Sequence, residues 1–263
     1  CGIVGAIANR NVVPILVEGL KRLEYRGYDS AGVAVVDGTI KRVRRVGRVA
    51  EMEAAAQADG LTGGLGIGHT RWATHGGPTD ANAHPHLAAD DKLAVIHNGI
   101  VENHLELKLR LQAEGHRFAS QTDTEVIAHL VASHYRGSLE EAARRALAEI
   151  RGVYALVLLH KDEPRLLVAA RLGPPLVIGI GAGEHYVASD IPALLPHTRD
   201  FIFLEDGDIA TLTPDAVRIV THAGTPVVRP PQRIAWDPVQ AEKGGFRHFM
   251  LKEIHEQPRA MRD

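Results

Sequence analysis

The sequence predicts an α+β protein in which helices cover antiparallel sheets. Two observations support this fold class. Strand-like segments follow one another through short turns across the second half of the chain, and helical patterns are confined to a few places. With 263 residues, 45% of them hydrophobic, the chain is long enough for one large domain or two small ones.

The predicted elements begin with a compact apolar strand at residues 2–8. An amphipathic helix follows from Asn11 to Glu24, with Asn11 as its cap and Pro14 in its first turn. Hydrophobic periodicity predicts further strands at 31–37, 40–46, 65–70 and 92–98, and helices at 124–135 and 138–150. The later strands are predicted in VYALVLLH, RLLVAARL, PLVIGIGA, HYVASD, FIFLEDGDIATL and VRIVTHA.

The charge balance and the cysteine content argue against several classes of protein. A net charge of -2 gives no electrostatic footprint for nucleic acid or for an anionic membrane. No apolar run approaches the roughly 20 residues that span a bilayer. A single cysteine excludes an internal disulfide framework and suits a reducing cytosol, so we expect a cytoplasmic protein.

That single cysteine, Cys1, carries both a thiol and the α-amino group. A neutral α-amine, with an ordinary pKa of about 7.7–8.0, can accept the proton of a thiol whose ordinary pKa is about 8.5. Cys1 is therefore a candidate nucleophile with its own base. The residues alone leave open that its position is incidental. A lipid-anchored cysteine is disfavoured because an apolar strand, and not a polar tether, follows it.

The loop HTRWATHGGPTDANAHPH (69–86) is the second candidate site. Arg71 offers a planar fork suited to a carboxylate, and Trp72 offers a large lid. Gly76, Gly77 and Pro78 would let such a lid hinge and then hold its shape. The alternative is a surface loop with a solvated arginine and a tryptophan packed underneath.

Two further candidates follow along the chain. Asn98 and Gly99 can supply two donors to an oxyanion hole. Asn-Gly is also the most common hairpin turn pair, and the residues alone favour the turn; both interpretations hold only if the turn faces a cleft. Thr122 and Glu125 form a capping box that places Asp123 in the first turn of a helix. Capping alone is enough to explain Asp123 at this point.

The 15 histidines raise the question of a metal site. His84 and His86 flank Pro85, and His97 and His104 follow further along the chain. The sequence contains no HExxH motif and no paired CxxC, so no spacing is diagnostic for zinc. We expect no metal site.

Taken together, these motifs resemble a known family. The order of six motifs resembles that in the glutaminase domains of glutamine–fructose-6-phosphate aminotransferases. The motifs are CGIVGAIA, RLEYRGYDSAG, HTRWATHG, HNGIVEN, TDTEV and LVIGIG..E.YVASD. These are class II glutamine amidotransferase domains, and the resemblance covers essentially the whole chain. Amidotransferases that form phosphoribosylamine, which would carry HRGQESAG, are the alternative.

The resemblance implies a four-layer αββα sandwich of two antiparallel sheets, the N-terminal-nucleophile hydrolase fold. It implies that Cys1 is the nucleophile, that its α-amine is the base, and that Asn98 and Gly99 form the oxyanion hole. It matches Arg71 to the α-carboxylate of glutamine and Asp123 to its α-ammonium group. It implies no metal and no cofactor in this domain. The remaining implied site residues are Trp72, Thr74 and His75 in a closing loop, and Arg26 near the active end.

The resemblance also implies a reaction and a domain plan. Glutamine would be hydrolysed to glutamate and ammonia through a Cys1 thioester, and the ammonia would serve the conversion of fructose 6-phosphate to glucosamine 6-phosphate. We expect the glutaminase domain to span 1–229. Residues 230–263 would be a linker and the start of a missing sugar-isomerase domain, and the full-length enzyme would be a homodimer.

Overall fold

The computed structural model describes residues 1–235 and, beyond them, Met250, Leu251, Ile254, His255 and Gln257. The other residues of the predicted linker and of the helical pattern that follows it lie outside the described part. Within that part, no helix is both long enough and apolar enough to cross a membrane.

Between Cys1 and Ala235 the chain forms fifteen strands and five α-helices, joined by turns and loops. The helices are α1 (Val13–Arg22), α2 (Val49–Ala58), α3 (His104–Ala113), α4 (Thr124–His134) and α5 (Leu139–Leu147). The strands are β1 (Gly2–Ala8), β2 (Ser30–Asp37), β3 (Thr39–Val46), β4 (Leu65–Arg71), β5 (His86–Leu87), β6 (Leu93–Val101), β7 (Gly152–His160), β8 (Leu167–Leu172), β9 (Val177–Ile180), β10 (Glu184–Ala188), β11 (Asp200–Phe203), β12 (Asp208–Leu212), β13 (Val217–Thr221), β14 (Pro226–Val227) and β15 (Gln232–Arg233).

The strands form two sheets, and every pairing between neighbours is antiparallel. The first sheet has eight strands in the order β15-β11-β9-β10-β1-β4-β2-β3. The second has seven, in the order β14-β13-β12-β8-β7-β6-β5. β15 extends the first sheet to Arg233, four residues beyond the boundary expected at 229.

The two sheets pack face to face between helical layers. In β1, Val4 and Ala6 belong to the core beneath α1 and α2, whereas Ile3 and Ile7 face the second sheet. This alternation is the period of a strand that is buried on both faces. Because α4 and α5 cover the outer face of the second sheet, the layers run αββα, and the predicted fold is confirmed.

The predicted helix at residues 11–24 is α1, with shorter bounds. Its N-cap is Val12, and the Asn11 side chain accepts from the Val13 amide at 3.2 Å. After Arg22 the chain tightens into a 3₁₀ turn, Glu24–Arg26, which carries Arg26 toward the start of β1.

The chain around Asn98 and Gly99 is not a hairpin turn. Both residues lie inside β6, paired with Ala155 and Tyr154 of β7, and the strand continues to Val101. The turn alternative is therefore wrong, and both residues sit on a strand that faces the first sheet.

Candidate active site

Cys1 lies at the start of the central strand β1. Gly2 pairs with Thr70 near the end of β4, so Cys1 meets the chain that leaves that strand. The Trp72 amide donates to the Cys1 sulfur at 3.1 Å, and the α-amino group donates to the Gly27 carbonyl at 3.3 Å. A donated N–H stabilises a thiolate at this sulfur.

The α-amine of Cys1 is poised to be neutral. Burial lowers its pKa from the ordinary value of 8.0, and the positive charge of Arg26 lowers it further, while Asp29 opposes both effects. A larger fraction of the amine is therefore unprotonated near neutral pH, as a base acting on the adjacent thiol requires.

Arg26 holds the backbone of the first residue. Its Nε donates to the Cys1 carbonyl at 3.1 Å, and a terminal nitrogen donates to Asp190 at 3.3 Å. The hydroxyl of Tyr25 also donates to this carboxylate. Asp190 follows β10, which pairs with β1. Through its contacts with Cys1 and Asp190, Arg26 therefore joins the ends of two neighbouring strands.

Arg71 is buried and organises the loop that follows β4. Its guanidinium donates to three successive carbonyls, those of His75, Gly76 and Gly77. Burial lowers its pKa, and the negative charges of Asp29 and Asp123 oppose that shift. The alternative of a solvated surface arginine is therefore wrong.

The loop itself lies over the start of β1. Trp72 is 60% exposed and packs on Gly27, where a Cβ would lie 2.3 Å from the indole ring and where φ is +85°. The Ala73 amide donates to Asp29 at 2.5 Å, while Thr74 is exposed with its hydroxyl 3.4 Å from His75 Nδ1. Glycine at position 27 is therefore required for the tryptophan to approach Cys1.

Asn98 and Gly99 face this region from the second sheet. Asn98 Oδ1 is 2.9 Å from His69 Nε2 of β4, a contact that joins the two sheets. Gly99 has φ of +137°, and a Cβ there would lie 2.0 Å from the Val153 carbonyl oxygen. No side chain fits at position 99, so the strand leaves open backbone beside Asn98.

Asp123 does not cap α4 with its side chain, although it is the N-cap residue. Its Oδ2 accepts from the Val101 amide of β6 at 2.9 Å, and its Oδ1 lies 3.9 Å from His75 Nδ1. Half of the predicted capping box is present, because the Glu125 amide donates to the Thr122 hydroxyl at 3.4 Å. Helix capping therefore does not explain the Asp123 carboxylate.

These contacts bring all nine candidate residues to one end of the sandwich. The first sheet and its loops supply Cys1, Arg26, Arg71, Trp72, Thr74 and His75, and the second sheet with α4 supplies Asn98, Gly99 and Asp123. Sequence reasoning did not single out His69, Asp29 or Asp190. Each lies inside a quoted motif, but its role depends on a contact between distant segments.

Three of the four histidines considered for a metal, His84, His86 and His97, are buried together with His69 in what we call the histidine cluster. His104 lies outside it, with its Nδ1 2.9 Å from the Val101 carbonyl. The Thr124 hydroxyl bonds both His84 and His97, and the Thr122 hydroxyl bonds His86. Across the described residues, no group of three or more His, Cys, Asp or Glu side chains is arranged to hold a metal ion.

Comparison with known proteins finds glutamine amidotransferases, whose class matches the one that the site residues imply. A family described as "Glutamine amidotransferase domain" matches residues 69–196. A solved glutamine phosphoribosylpyrophosphate amidotransferase from B. subtilis covers 84% of this chain with a TM-score of 0.74 and 25% identity, over 49% of its own chain. A class-II glutamine aminotransferase domain protein from Silicibacter pomeroyi shares the fold, with a TM-score of 0.59 and 19% identity over 84% of this chain and 99% of its own. The chain belongs to the class II glutamine amidotransferase domains of the N-terminal-nucleophile hydrolase fold.

Among the glutamine amidotransferases, the curated relatives with high sequence identity to this chain are glutamine–fructose-6-phosphate aminotransferases. The glutamine–fructose-6-phosphate aminotransferase of a Thermus thermophilus strain is 56% identical over 259 residues, 98% of this chain, and that of Aquifex aeolicus is 51% identical over 264 residues, 100% of this chain. This chain covers 43% and 45% of those two proteins, so it spans less than half of their length.

The histidine cluster predicts an acid-sensitive fold. Burial lowers the pKa of His69 and of His86 to about 3. Between pH 6.5 and 3 the unfolded chain therefore binds more protons than the folded one, so the free energy of unfolding should fall as pH falls. Each such histidine should contribute about 1.4 kcal/mol per pH unit. Urea unfolding at pH 6, 5.5 and 5, all below the ordinary histidine pKa of about 6.5, measures this slope.

The matched variant for this measurement is His86→Leu, which removes one titrating group. Its stability should depend less steeply on pH than that of the wild type, by about 1.4 kcal/mol per pH unit. Identical slopes for the two proteins would contradict the buried, neutral state of His86.

Proposed function

We propose that this chain hydrolyses the side-chain amide of glutamine to glutamate and ammonia, with Cys1 as the nucleophile. The observation that carries the proposal is the position of the Cys1 thiol and its partly buried α-amine at the start of β1. The neighbouring strand residue His69, which pairs with Ile3, contacts Asn98 of the second sheet. Membership of the amidotransferase domains supports the same chemistry.

In the proposed reaction, the α-amine takes the thiol proton and the sulfur attacks the amide carbon of glutamine. The tetrahedral oxyanion accepts from Asn98 Nδ2 and from the Gly99 backbone. The protonated amine then gives its proton to the departing nitrogen, and ammonia leaves a thioester on Cys1. Water, deprotonated by the same amine, cleaves the thioester and restores the thiol.

Substrate recognition is assigned to two buried, opposite charges. Arg71 uses three donors to hold the carbonyls of the loop, and its guanidinium has five N–H groups in all. Those that remain suit the α-carboxylate of glutamine. Asp123, with one oxygen bonded to Val101 and the other toward His75, suits the α-ammonium group. Trp72, Thr74 and His75 would close over the bound substrate.

Comparison with the longer relatives supports a proposal for the full-length protein to which this chain would belong. Since this chain spans 43% of a glutamine–fructose-6-phosphate aminotransferase, we propose that residues 1–229, together with the short strand β15 that completes the first sheet, are the glutaminase domain. Residues 230–263 would lead into a sugar-isomerase domain that uses the ammonia on fructose 6-phosphate. We further propose a homodimeric, cytoplasmic enzyme. A phosphoribosylamine-forming enzyme is less well supported, because identity to the B. subtilis structure is 25%.

The nucleophile is tested by Cys1→Ala. Because this change removes only a half-exposed thiol, the fold should persist while ammonia release from glutamine, measured by a coupled assay, is lost. A glutamine analogue with an electrophilic δ-carbon should modify Cys1 of the wild type alone, as read by peptide mass spectrometry. Hydrolysis by folded Cys1→Ala, or modification at another residue, would overturn the assignment.

The recognition roles are tested by Asp123→Asn and Arg71→Lys. The first removes the charge that faces the ammonium group and the second removes the planar fork, so each should raise KM for glutamine by about 30-fold or more. Asp208→Asn is the matched control and should leave KM unchanged, since Asp208, on β12, is a similarly buried carboxylate that accepts from Arg229 away from the site. A KM that is unchanged in both site variants would show that Asp123 and Arg71 do not bind glutamine and have structural roles only.

A further inference from the structure

An asparagine in an oxyanion hole works in only one of two orientations. The side-chain amide has an acceptor end and a donor end of nearly equal size, and only Nδ2 can stabilise an oxyanion. Something must therefore hold Asn98 so that Nδ2, and not Oδ1, faces the Cys1 side. This requirement rests on the proposed function.

His69 is the side chain that bonds Asn98 in this structure. It lies on β4, paired with Ile3 of β1, and its Nε2 is 2.9 Å from Asn98 Oδ1 on the opposite sheet. His69 is 1% exposed and Asn98 is 8% exposed. The His69 ring stacks on His84 at 4.2 Å between centroids and 29° between planes, which fixes its tilt.

The other nitrogen of His69 decides which end of the amide faces the ring. Nδ1 is buried and makes no hydrogen bond of normal geometry. A proton there would be an unsatisfied buried donor, which is costlier than an unused lone pair. The proton therefore belongs on Nε2, which donates to Oδ1 and leaves Nδ2 directed away from the histidine.

A charged ring would be unfavourable at this position. Burial lowers the pKa of His69 to about 3, against the hydrogen bond to Asn98 and a smaller contribution from the backbone of His97, which both favour the charged form. The ring is thus a neutral donor across the physiological range, and it offers Asn98 the same contact at every pH at which the fold is stable.

We propose that His69 is a positioning residue that sets the amide orientation of Asn98 and thereby keeps Nδ2 available to the oxyanion. His69 does not touch the substrate. Its effect should fall on the transition state, where the oxyanion exists, and not on the binding of glutamine.

The test compares three variants at position 69. His69→Leu removes the donor, so kcat should fall by about 10- to 100-fold while KM stays within about threefold, since complete loss of an oxyanion donor costs about 10²–10³. His69→Gln places an amide nitrogen near the position of Nε2 and should recover most of that loss. His69→Asn is too short to reach Asn98 and should remain impaired.

A double-mutant cycle with Asn98→Ala separates positioning from a general structural effect. In the Asn98→Ala background, His69→Leu should lower kcat no further, because there is no amide left to orient. His160→Leu is the matched control. It removes another buried histidine, which pairs with Leu93 at the far end of the β6–β7 ladder, and it should leave kcat unchanged in both backgrounds.

Each outcome has one meaning. A wild-type chain that releases no ammonia from glutamine overturns the proposed function and this inference with it. With an active wild type, additive losses in the cycle, or equal activity of the Gln and Asn variants, overturn the inference alone. If leucine at position 69 prevents folding, the comparison of His69→Gln with His69→Asn and its cycle with Asn98→Ala give the same decision.

Discussion

Burial of β1 on both faces is the constraint on which the site depends. All seven residues of β1 are buried, with Val4 and Ala6 under the helices and Ile3 and Ile7 against the second sheet. Burial of a large apolar side chain contributes about 1.5–3 kcal/mol, so the strand cannot slide or tilt cheaply. The residue at its start is therefore fixed in space, even though Cys1 itself is partly exposed.

The charged groups around Cys1 are each held by backbone as well as by charge. Arg71 donates to loop carbonyls, Asp123 accepts from the Val101 amide, and Arg26 donates to the Cys1 carbonyl. Buried charges held in this way are oriented before a ligand arrives, which reduces the reorganisation that binding and catalysis require. The loop, the two sheets and the 3₁₀ turn are thus joined at one point.

Local patterns predicted most of the fold. Apolar alternation located β2, β3 and β4, and helical periodicity located α4 and α5 within a few residues. Neither α2 nor α3 was predicted. The leucines of α3 fall at every second position, which is typical of a strand, and only Leu107 and Leu111 are buried. The contacts of His69, Asp29 and Asp190 join segments far apart in sequence, so no local pattern could reveal them.

The most direct test of the account asks whether the α-amine of Cys1 must be free. Chain that begins at Cys1 is compared with a form that retains a preceding methionine, both confirmed by intact mass and matched for folded concentration. The preceding methionine converts the amine to an amide, which cannot accept a proton. Because general-base catalysis contributes about 10²–10⁴-fold, glutamine turnover should fall by about that factor. Equal turnover of the two forms would show that Cys1 acts as an ordinary thiol and would contradict the account.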